Sequence, residues 1–325
     1  MKQLSWAALL NRNAALIRSA TRPLRERHRP PASGSNAGSW LMGLVMAPDG
    51  PRRYYLFRPA GVRFGEKLPL LVMLHGCHQD AKSFAASTRM NAVAVRERFL
   101  VLYPEQPLVC NAQGCWNWFE TQSGRAFNEA AWIMKAIDQV CMLYAADRER
   151  VALAGLSAGA SMAALLATRY PQRFKALVMH SGVPPGAAST SLSAVGAMQG
   201  RREPLPTGAA RDWPPLMVIH GDADRIVSAR NAGSAALMWS EAAGAQAQPP
   251  QEQRRGKRYP MRVTQFKRSR EVVATLVEVD QLGHAWSGGA ARQRFSDANG
   301  PDASRMVWRF VARQFEAARP DLARS

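Results

Sequence analysis

Short apolar runs that alternate with helix-like segments are the feature that most constrains the fold of this 325-residue chain. Seven runs are aliphatic and bounded by turn residues, as buried strands are. Five longer runs have the composition of helices. This alternation predicts an α/β fold, with a mostly parallel central sheet and helices on both faces. The predicted strands are 52–59, 68–76, 99–105, 150–155, 174–182, 214–221 and 271–280; the predicted helices are 83–98, 125–146, 157–170, 229–244 and 304–318.

The charge of the chain is strongly positive and unevenly distributed. The net charge is +19, and residues 1–40 and 251–270 contribute +6 and +7 of it. We therefore predict a basic N-terminal extension over 1–40, followed by one domain over 41–325 that carries a basic surface insertion at about 246–270. Both basic segments are interpreted as solvated, with contact to an anionic surface as the alternative. The stretches predicted as linker or loop from their Pro and Gly content are 29–38 and 183–215.

The first twenty residues bear on localisation. Their apolar patch is short and is interrupted by Asn11, Arg12 and Asn13, whereas a secretory signal has a longer unbroken apolar stretch. The spacing of the apolar residues there is that of a short amphipathic helix in a partly disordered extension. No window reaches the roughly 18 apolar residues needed for a membrane span. We expect a cytoplasmic protein, with secretion by an unrecognised signal as the alternative.

Ser157 lies between Gly155 and Gly159 in the pattern G-x-S-x-G. The residues before it are strand-like and those after it are helix-like, so Ser157 is predicted to occupy a strand-to-helix turn. In such a turn a serine nucleophile adopts a strained backbone conformation, and the glycines allow strand and helix to approach closely. The pattern therefore makes Ser157 a candidate nucleophile, although small residues also occur in such turns for packing reasons alone.

A serine nucleophile needs a base and an acid, which follow it in the order acid, then histidine, in this architecture. Asp222 and Asp224 come directly after the predicted strand 214–221, and His284 follows the strand 271–280. We favour Asp224 as the acid because the later residue is better placed to reach the histidine loop. Asp222 is the alternative, and otherwise hydrogen-bonds the loop backbone.

The developing oxyanion of an acyl-transfer reaction needs backbone N–H donors. Ala158 follows the nucleophile, and Cys77 follows the tight turn that His75 and Gly76 allow at the end of the strand 68–76, so their amides are the candidates. Cys77 and Cys115 both lie beside the predicted site, and a disulfide between them stays open at this point. His75 and His78 form H-x-x-H without a third ligand, so we predict no metal site and no cofactor.

Aromatic residues lie near the predicted site in sequence. Trp116, Asn117 and Trp118 form part of a loop, and Trp286 follows the candidate base. These residues are candidates to line an apolar substrate cleft. The alternative is that two of the three rings of Trp116, Trp118 and Phe119 pack under the oxyanion loop and only one faces substrate.

Six motifs of this sequence together resemble the esterases of the polyhydroxybutyrate depolymerase family in the α/β-hydrolase superfamily. They are LHGCHQDAKSFAASTRMN, FLVLYPEQ, CWNWF, GLSAGASMAALLA, HGDADRIV and GHAWSGG, and the resemblance spans about residues 50–316. It implies an α/β-hydrolase fold. It further implies that Ser157 is the nucleophile, Asp224 the acid and His284 the base. The oxyanion donors that it implies are the amides of Cys77 and Ala158.

The resemblance implies hydrolysis of carboxylic esters through an acyl-enzyme. We expect poly- or oligo-3-hydroxyalkanoate esters, above all of hydroxybutyrate, as substrate, with an oligomer or a granule surface as the partner. One alternative is a feruloyl or acetyl esterase acting on plant polysaccharide esters. Another is a non-catalytic basic scaffold, which the presence of all three triad residue types disfavours. Specific nucleic-acid binding is not expected.

Overall fold

The computed structural model describes residues 37–48, 50–204 and 212–317. Its strands are β1 (Gly38–Ala47), β2 (Gly50–Pro59), β3 (Leu68–Leu74), β4 (Leu100–Pro104), β5 (Ala146–Leu156), β6 (Ala176–His180), β7 (Leu216–Gly221), β8 (Gln246–Ala247), β9 (Gln251–Gln253), β10 (Met261–Arg268), β11 (Glu271–Val279), β12 (Trp286–Ser287) and β13 (Ser296–Asp297). Its helices are α1 (Ala81–Thr88), α2 (Met90–Glu97), α3 (Arg125–Leu143), α4 (Ala158–Arg169), α5 (Ser191–Met198), α6 (Arg230–Ala243) and α7 (Ala303–Ala317).

A sheet of eleven strands forms the centre of the described residues. Its order is β1-β2-β4-β3-β5-β6-β7-β11-β10-β8, and β9 also pairs with β10. The six strands from β4 to β11 in this order are parallel, whereas β1, β2 and β10 run antiparallel to their neighbours. The prediction of a mostly parallel central sheet is confirmed.

Helices cover both faces of this sheet, which explains why its central strands are continuous apolar runs. Every residue of β3 is buried. Leu70, Val72 and Leu74 belong to the core that includes α3, α4 and α6. Leu71 and Met73 belong to the opposite core, which includes α1, α2 and α7. Full burial of one such aliphatic side chain contributes about 1.5–3 kcal/mol, so both layers stabilise the sheet.

Parallel strands place the loops that follow them at one edge of the sheet, where open α/β sheets bind ligands. Ser157 follows β5, Asp224 lies three residues beyond β7, and His284 lies in the loop after β11. Because β5, β6, β7 and β11 are consecutive neighbours, the three candidate catalytic residues come to this same edge.

The stretch 246–270, which the sequence predicts to be a basic surface insertion, has regular secondary structure. This stretch contains β8, β9 and β10, and β10 pairs with β11 from Met261↔Val279 to Arg268↔Glu271. It therefore extends the central sheet. Exposed basic side chains such as Arg262 are compatible with a strand there because β10 lies near the end of the sheet, where water reaches one face.

Other boundaries differ from the prediction as well. β1 begins at Gly38, so the end of the predicted 1–40 extension is strand; residues 1–36 lie outside the described part of the chain. The predicted helix 83–98 is divided into α1 and α2 by Arg89, whose left-handed φ of 55° ends α1. The predicted loop 183–215 contains α5. In the described ranges, no helix combines the length and apolar composition required to cross a membrane.

Candidate active site

Ser157 occupies a tight turn between β5 and α4. Its backbone has φ 55° and ψ −122°, a sparsely populated conformation for a residue with a Cβ that costs about 1–3 kcal/mol. A Cβ on Gly159 would lie 2.1 Å from the Leu74 carbonyl oxygen, and one on Gly155 would lie 2.4 Å from the Gly159 carbonyl carbon. The close approach expected of the G-x-S-x-G glycines is therefore present.

Asp224 and His284 form a hydrogen-bonded pair. Asp224 Oδ2 lies 2.7 Å from His284 Nδ1, and Asp224 Oδ1 accepts hydrogen bonds from the amides of Ile226 and Val227, both at 2.9 Å. Asp222 instead accepts a 2.7 Å hydrogen bond from the Gln281 amide, in the loop that carries His284. Of the two candidate acids, Asp224 contacts the imidazole and Asp222 braces the histidine loop.

Two histidines control the charge of Asp224. Burial raises the pKa of its carboxyl, but hydrogen bonds and attraction from His220 and His284 outweigh this and hold the pKa below its ordinary value. His220 Nε2 lies 3.3 Å from Asp224 Oδ2 and 2.9 Å from the Val227 carbonyl. Asp224 is thus an anion that can orient His284 and stabilise its protonated form.

The structure joins only two of the three candidate triad residues directly. In the described part of the chain, the Ser157 hydroxyl makes no hydrogen bond, to His284 or to any other group. Catalytic hydrogen bonds are often long or poorly aligned without substrate. The two loops are nonetheless connected through His180, whose carbonyl accepts from the Ser157 amide at 2.8 Å and whose Nε2 accepts from the Ser287 amide at 3.1 Å.

The candidate oxyanion donors flank the serine. A Cβ on Gly76 would lie 3.5 Å from Ser157 Cβ, so the loop after β3 runs directly beside the nucleophile. Among the described residues, the amides of Cys77 and Ala158 donate to no protein acceptor, which leaves both N–H groups for a ligand. Gly76 itself is fixed, because its amide donates to Gln79 Oε1 at 3.1 Å.

The loop after β3 is held by a disulfide and by a buried histidine. Cys77 and Cys115 are bonded, which resolves the pairing that the sequence leaves open. His75 Nε2 accepts from the Gln106 amide at 3.1 Å, so Nδ1 carries the proton and donates to the Gly76 carbonyl at 2.9 Å. His75 thus has a bracing role. No group of three or more metal-ligating side chains occurs in the described ranges.

Three of the predicted substrate-binding residues are structural. Trp116 and Trp286 are 0% exposed and Asn117 is 2% exposed. Trp116 Nε1 donates to the His75 carbonyl at 3.0 Å, and Trp286 Nε1 donates to Ser304 Oγ at 3.0 Å. The prediction that they contact substrate is wrong because protein groups enclose both rings and use their N–H donors. Trp118 is also buried.

Sequence reasoning missed Glu129 at this site. Glu129 lies on α3, is 5% exposed, and accepts hydrogen bonds from Asn117 and Gln106 in the loop after β4. A single glutamate in an amphipathic helix gives no signal of burial. His180 and His220 carried a usable signal, since His180 ends β6 and His220 is the penultimate residue of the neighbouring parallel strand β7.

Two buried histidines make stability pH-dependent. Burial lowers the pKa of His75 to about 4 and that of His180 to about 3, whereas unfolded histidine has a pKa near 6.5. As the pH falls below about 6.5, the unfolded chain takes up protons that the folded protein does not, so the free energy of unfolding decreases. We expect a loss of roughly 1.4 kcal/mol per pH unit for each histidine once the pH is well below 6.5.

Urea titration between pH 7 and pH 5 measures this effect, because carboxylates with ordinary pKa values stay largely ionised there. A free energy of unfolding that does not change over this interval would contradict the neutral buried state of His75 and His180.

Comparison with known proteins gives the family of the chain. The family model described as Esterase PHB depolymerase matches residues 52–244. A poly(3-hydroxyalkanoate) depolymerase C of Paucimonas lemoignei is 30% identical over 193 residues, 56% of this chain and 46% of that protein. A feruloyl esterase B of Neurospora crassa is 29% identical over 211 residues, 59% of this chain and 70% of that protein. The chain thus spans about half the length of the first of these relatives.

Solved structures agree at the level of the fold. An acetyl xylan esterase from Aspergillus awamori has a TM-score of 0.60 at 18% identity, over 75% of this chain and 94% of that one. A ferulic acid esterase of Anaeromyces mucronatus has a TM-score of 0.55 at 14% identity, over 91% of this chain and 97% of that one. The expected α/β-hydrolase fold is confirmed. With a family model that covers more than half of its residues, the chain belongs to the Esterase PHB depolymerase family.

Proposed function

We propose that this protein is a serine esterase that hydrolyses poly- or oligo-3-hydroxyalkanoate esters, above all of hydroxybutyrate. The 2.7 Å hydrogen bond between Asp224 and His284, at the sheet edge where Ser157 occupies its strained turn, carries the serine-esterase part of this proposal. A buried carboxylate that orients an imidazole beside a serine is the arrangement that activates a hydroxyl nucleophile.

In the proposed mechanism, His284 Nε2 takes the proton of Ser157 as Oγ attacks the ester carbonyl carbon. The amides of Cys77 and Ala158 donate to the resulting oxyanion, and one such donor is worth about 10²–10³ in rate. The bond to the alcohol oxygen then breaks, and His284 protonates the departing alcohol. Water attacks the acyl-enzyme with His284 as base, which releases the acid and restores Ser157.

The substrate class rests on the relatives. The family description and the 30% identical relative both concern polyhydroxyalkanoate. A second candidate is an esterase for feruloyl or acetyl groups, because the feruloyl esterase B relative is nearly as similar and is matched over 70% of its length.

Hydrolysis rates decide between these substrates. The substrates are p-nitrophenyl esters from acetyl to octanoyl, 3-hydroxybutyrate oligomers, methyl ferulate and acetylated xylan. We expect turnover of p-nitrophenyl esters and a higher kcat/KM for hydroxybutyrate oligomers than for methyl ferulate or acetylated xylan. The reverse preference would select the plant-polysaccharide esterase, and a folded protein without any turnover would refute the esterase.

A further inference from the structure

Glu129 is a buried carboxylate that the proposed mechanism does not use. It lies in the second turn of α3 and is 5% exposed. Oε2 accepts from the Asn117 amide at 2.8 Å; Oε1 accepts from Gln106 Nε2 at 2.7 Å and from Asn117 Nδ2 at 2.5 Å. Burial raises the pKa of Glu129, while these hydrogen bonds and Arg125 oppose that rise. Burying a carboxylate costs free energy unless fixed donors hydrogen-bond to it, and Glu129 has three such donors.

The donors to Glu129 belong to the loop after β4, which we call the Trp loop and define as residues 105–119. Gln106 and Asn117 lie near its two ends, so a single carboxylate joins both ends. Gln106 Nε2 also donates to the Cys115 carbonyl at 3.1 Å. Inside the loop, Asn111 Nδ2 donates to Asn117 Oδ1 at 2.9 Å. Glu129 is therefore the anchor through which α3 sets the shape of the Trp loop.

The Trp loop in turn holds the segment that carries the Cys77 amide. Cys115 is bonded to Cys77 itself. The Gln113 carbonyl accepts from the amide of His78 at 2.7 Å, and Trp116 Nε1 donates to the carbonyl of His75. The Trp loop thus contacts the residue before Gly76, Cys77 itself and the residue after it.

We propose that Glu129 is a positioning residue for ester hydrolysis, which holds the Trp loop so that the Cys77 amide points at the developing oxyanion. This inference rests on the function proposed above. Its physical basis is that an oxyanion donor accelerates the reaction only when it is already aimed at the charge that forms, and a displacement of about 1 Å can cost about 10²-fold.

Glu129→Gln tests this role. A carboxylate accepts on both oxygens, whereas a glutamine side chain presents one oxygen and one NH₂ group. In either orientation the NH₂ group faces a Trp-loop donor, so at least one hydrogen bond is lost while the side-chain volume is kept. We expect kcat for a p-nitrophenyl ester to fall about tenfold, with KM changed by less than about threefold, because the Cys77 contact strengthens in the transition state.

A second readout separates positioning from loss of folded protein. A trifluoromethyl ketone forms a tetrahedral adduct with a serine nucleophile, and the oxyanion of this adduct needs the same donors as the transition state. The inhibition constant should weaken in Glu129→Gln by about the factor lost in kcat/KM. Rates are normalised to the concentration of titratable active sites, so a smaller folded fraction changes neither result.

Asp138→Asn is the matched control, since it also removes a carboxylate from α3. Asp138 pairs with Arg148 and Arg173 on the surface, away from the Trp loop, so kcat and the inhibition constant should stay unchanged. Unchanged values in Glu129→Gln would overturn the proposal.

If Glu129→Gln does not fold, Asn117→Ala removes one of the three bonds to the carboxylate, and a folded variant with wild-type kcat would overturn the proposal equally. A wild-type protein without ester turnover would overturn the proposed function, and this role with it.

Discussion

Ser157→Ala is expected to abolish ester hydrolysis and to leave the fold intact. Removing the nucleophile of a serine triad lowers kcat by about 10⁶, which brings turnover to the background of the assay. Alanine keeps the Cβ that the strained turn already accommodates, and the Ser157 hydroxyl makes no hydrogen bond in the described residues. The free energy of unfolding should therefore change by no more than about 0.5 kcal/mol.

Steady-state hydrolysis of p-nitrophenyl butyrate, with urea denaturation of the same samples, tests both parts of this expectation. Ser234→Ala is the control, because Ser234 lies on α6 and its hydroxyl bonds only to Glu203 among the described residues. Retained turnover in Ser157→Ala with normal activity in Ser234→Ala would remove Ser157 from the mechanism.

Asp224→Asn is expected to lower kcat by about 10³–10⁴. Asparagine can still accept from the amides of Ile226 and Val227 through Oδ1, so the loop after β7 keeps its bonds. Its NH₂ group then faces His284 Nδ1 and favours the tautomer that carries the proton on Nε2. That tautomer cannot accept the proton of Ser157, so the geometry survives while the base is lost.

Asp222→Asn is the matched control two residues away. The side-chain oxygen of the introduced asparagine would still accept from the Gln281 amide, so the loss in kcat should stay below about tenfold. The comparison uses kcat of both variants, measured at saturating substrate from pH 6 to pH 9. A larger loss in Asp222→Asn than in Asp224→Asn would transfer the acid to Asp222.

The elements that sequence reasoning predicted well are the buried ones. β3 to β7 and β11 are apolar because helices cover both faces of the sheet, and their periodicity is visible without the fold. Strands near the two ends of the sheet have a sequence pattern that is harder to recognise. β1 has large exposed apolar side chains, and β10 has exposed charges, because one face of each is open to water. Neither pattern distinguishes a marginal strand from a loop.

The residues of the candidate site likewise divide into those that the sequence indicates and those whose role only the fold decides. Strand ends and chain order indicate Ser157, the Asp222–Asp224 pair and His284, since parallel strands bring their following loops to one edge. The choice of Asp224 depends on a contact across 60 residues. Trp116 and Trp286 look like cleft residues in sequence, yet their exposure depends on groups that pack over them from distant segments, His75 and Ser304 among them.

The sequence by itself determined the fold class, the order of the catalytic candidates and the turn at Ser157, because these follow from local periodicity, glycine geometry and strand topology. Only the tertiary structure decided the Asp224–His284 contact, the Cys77–Cys115 bond and the burial of Glu129. The physical reason is the distance along the chain between the residues that specify each feature. A strand or a turn is specified by neighbours along the chain, whereas a hydrogen bond, a disulfide or a buried charge is specified by whichever distant segment packing brings against it.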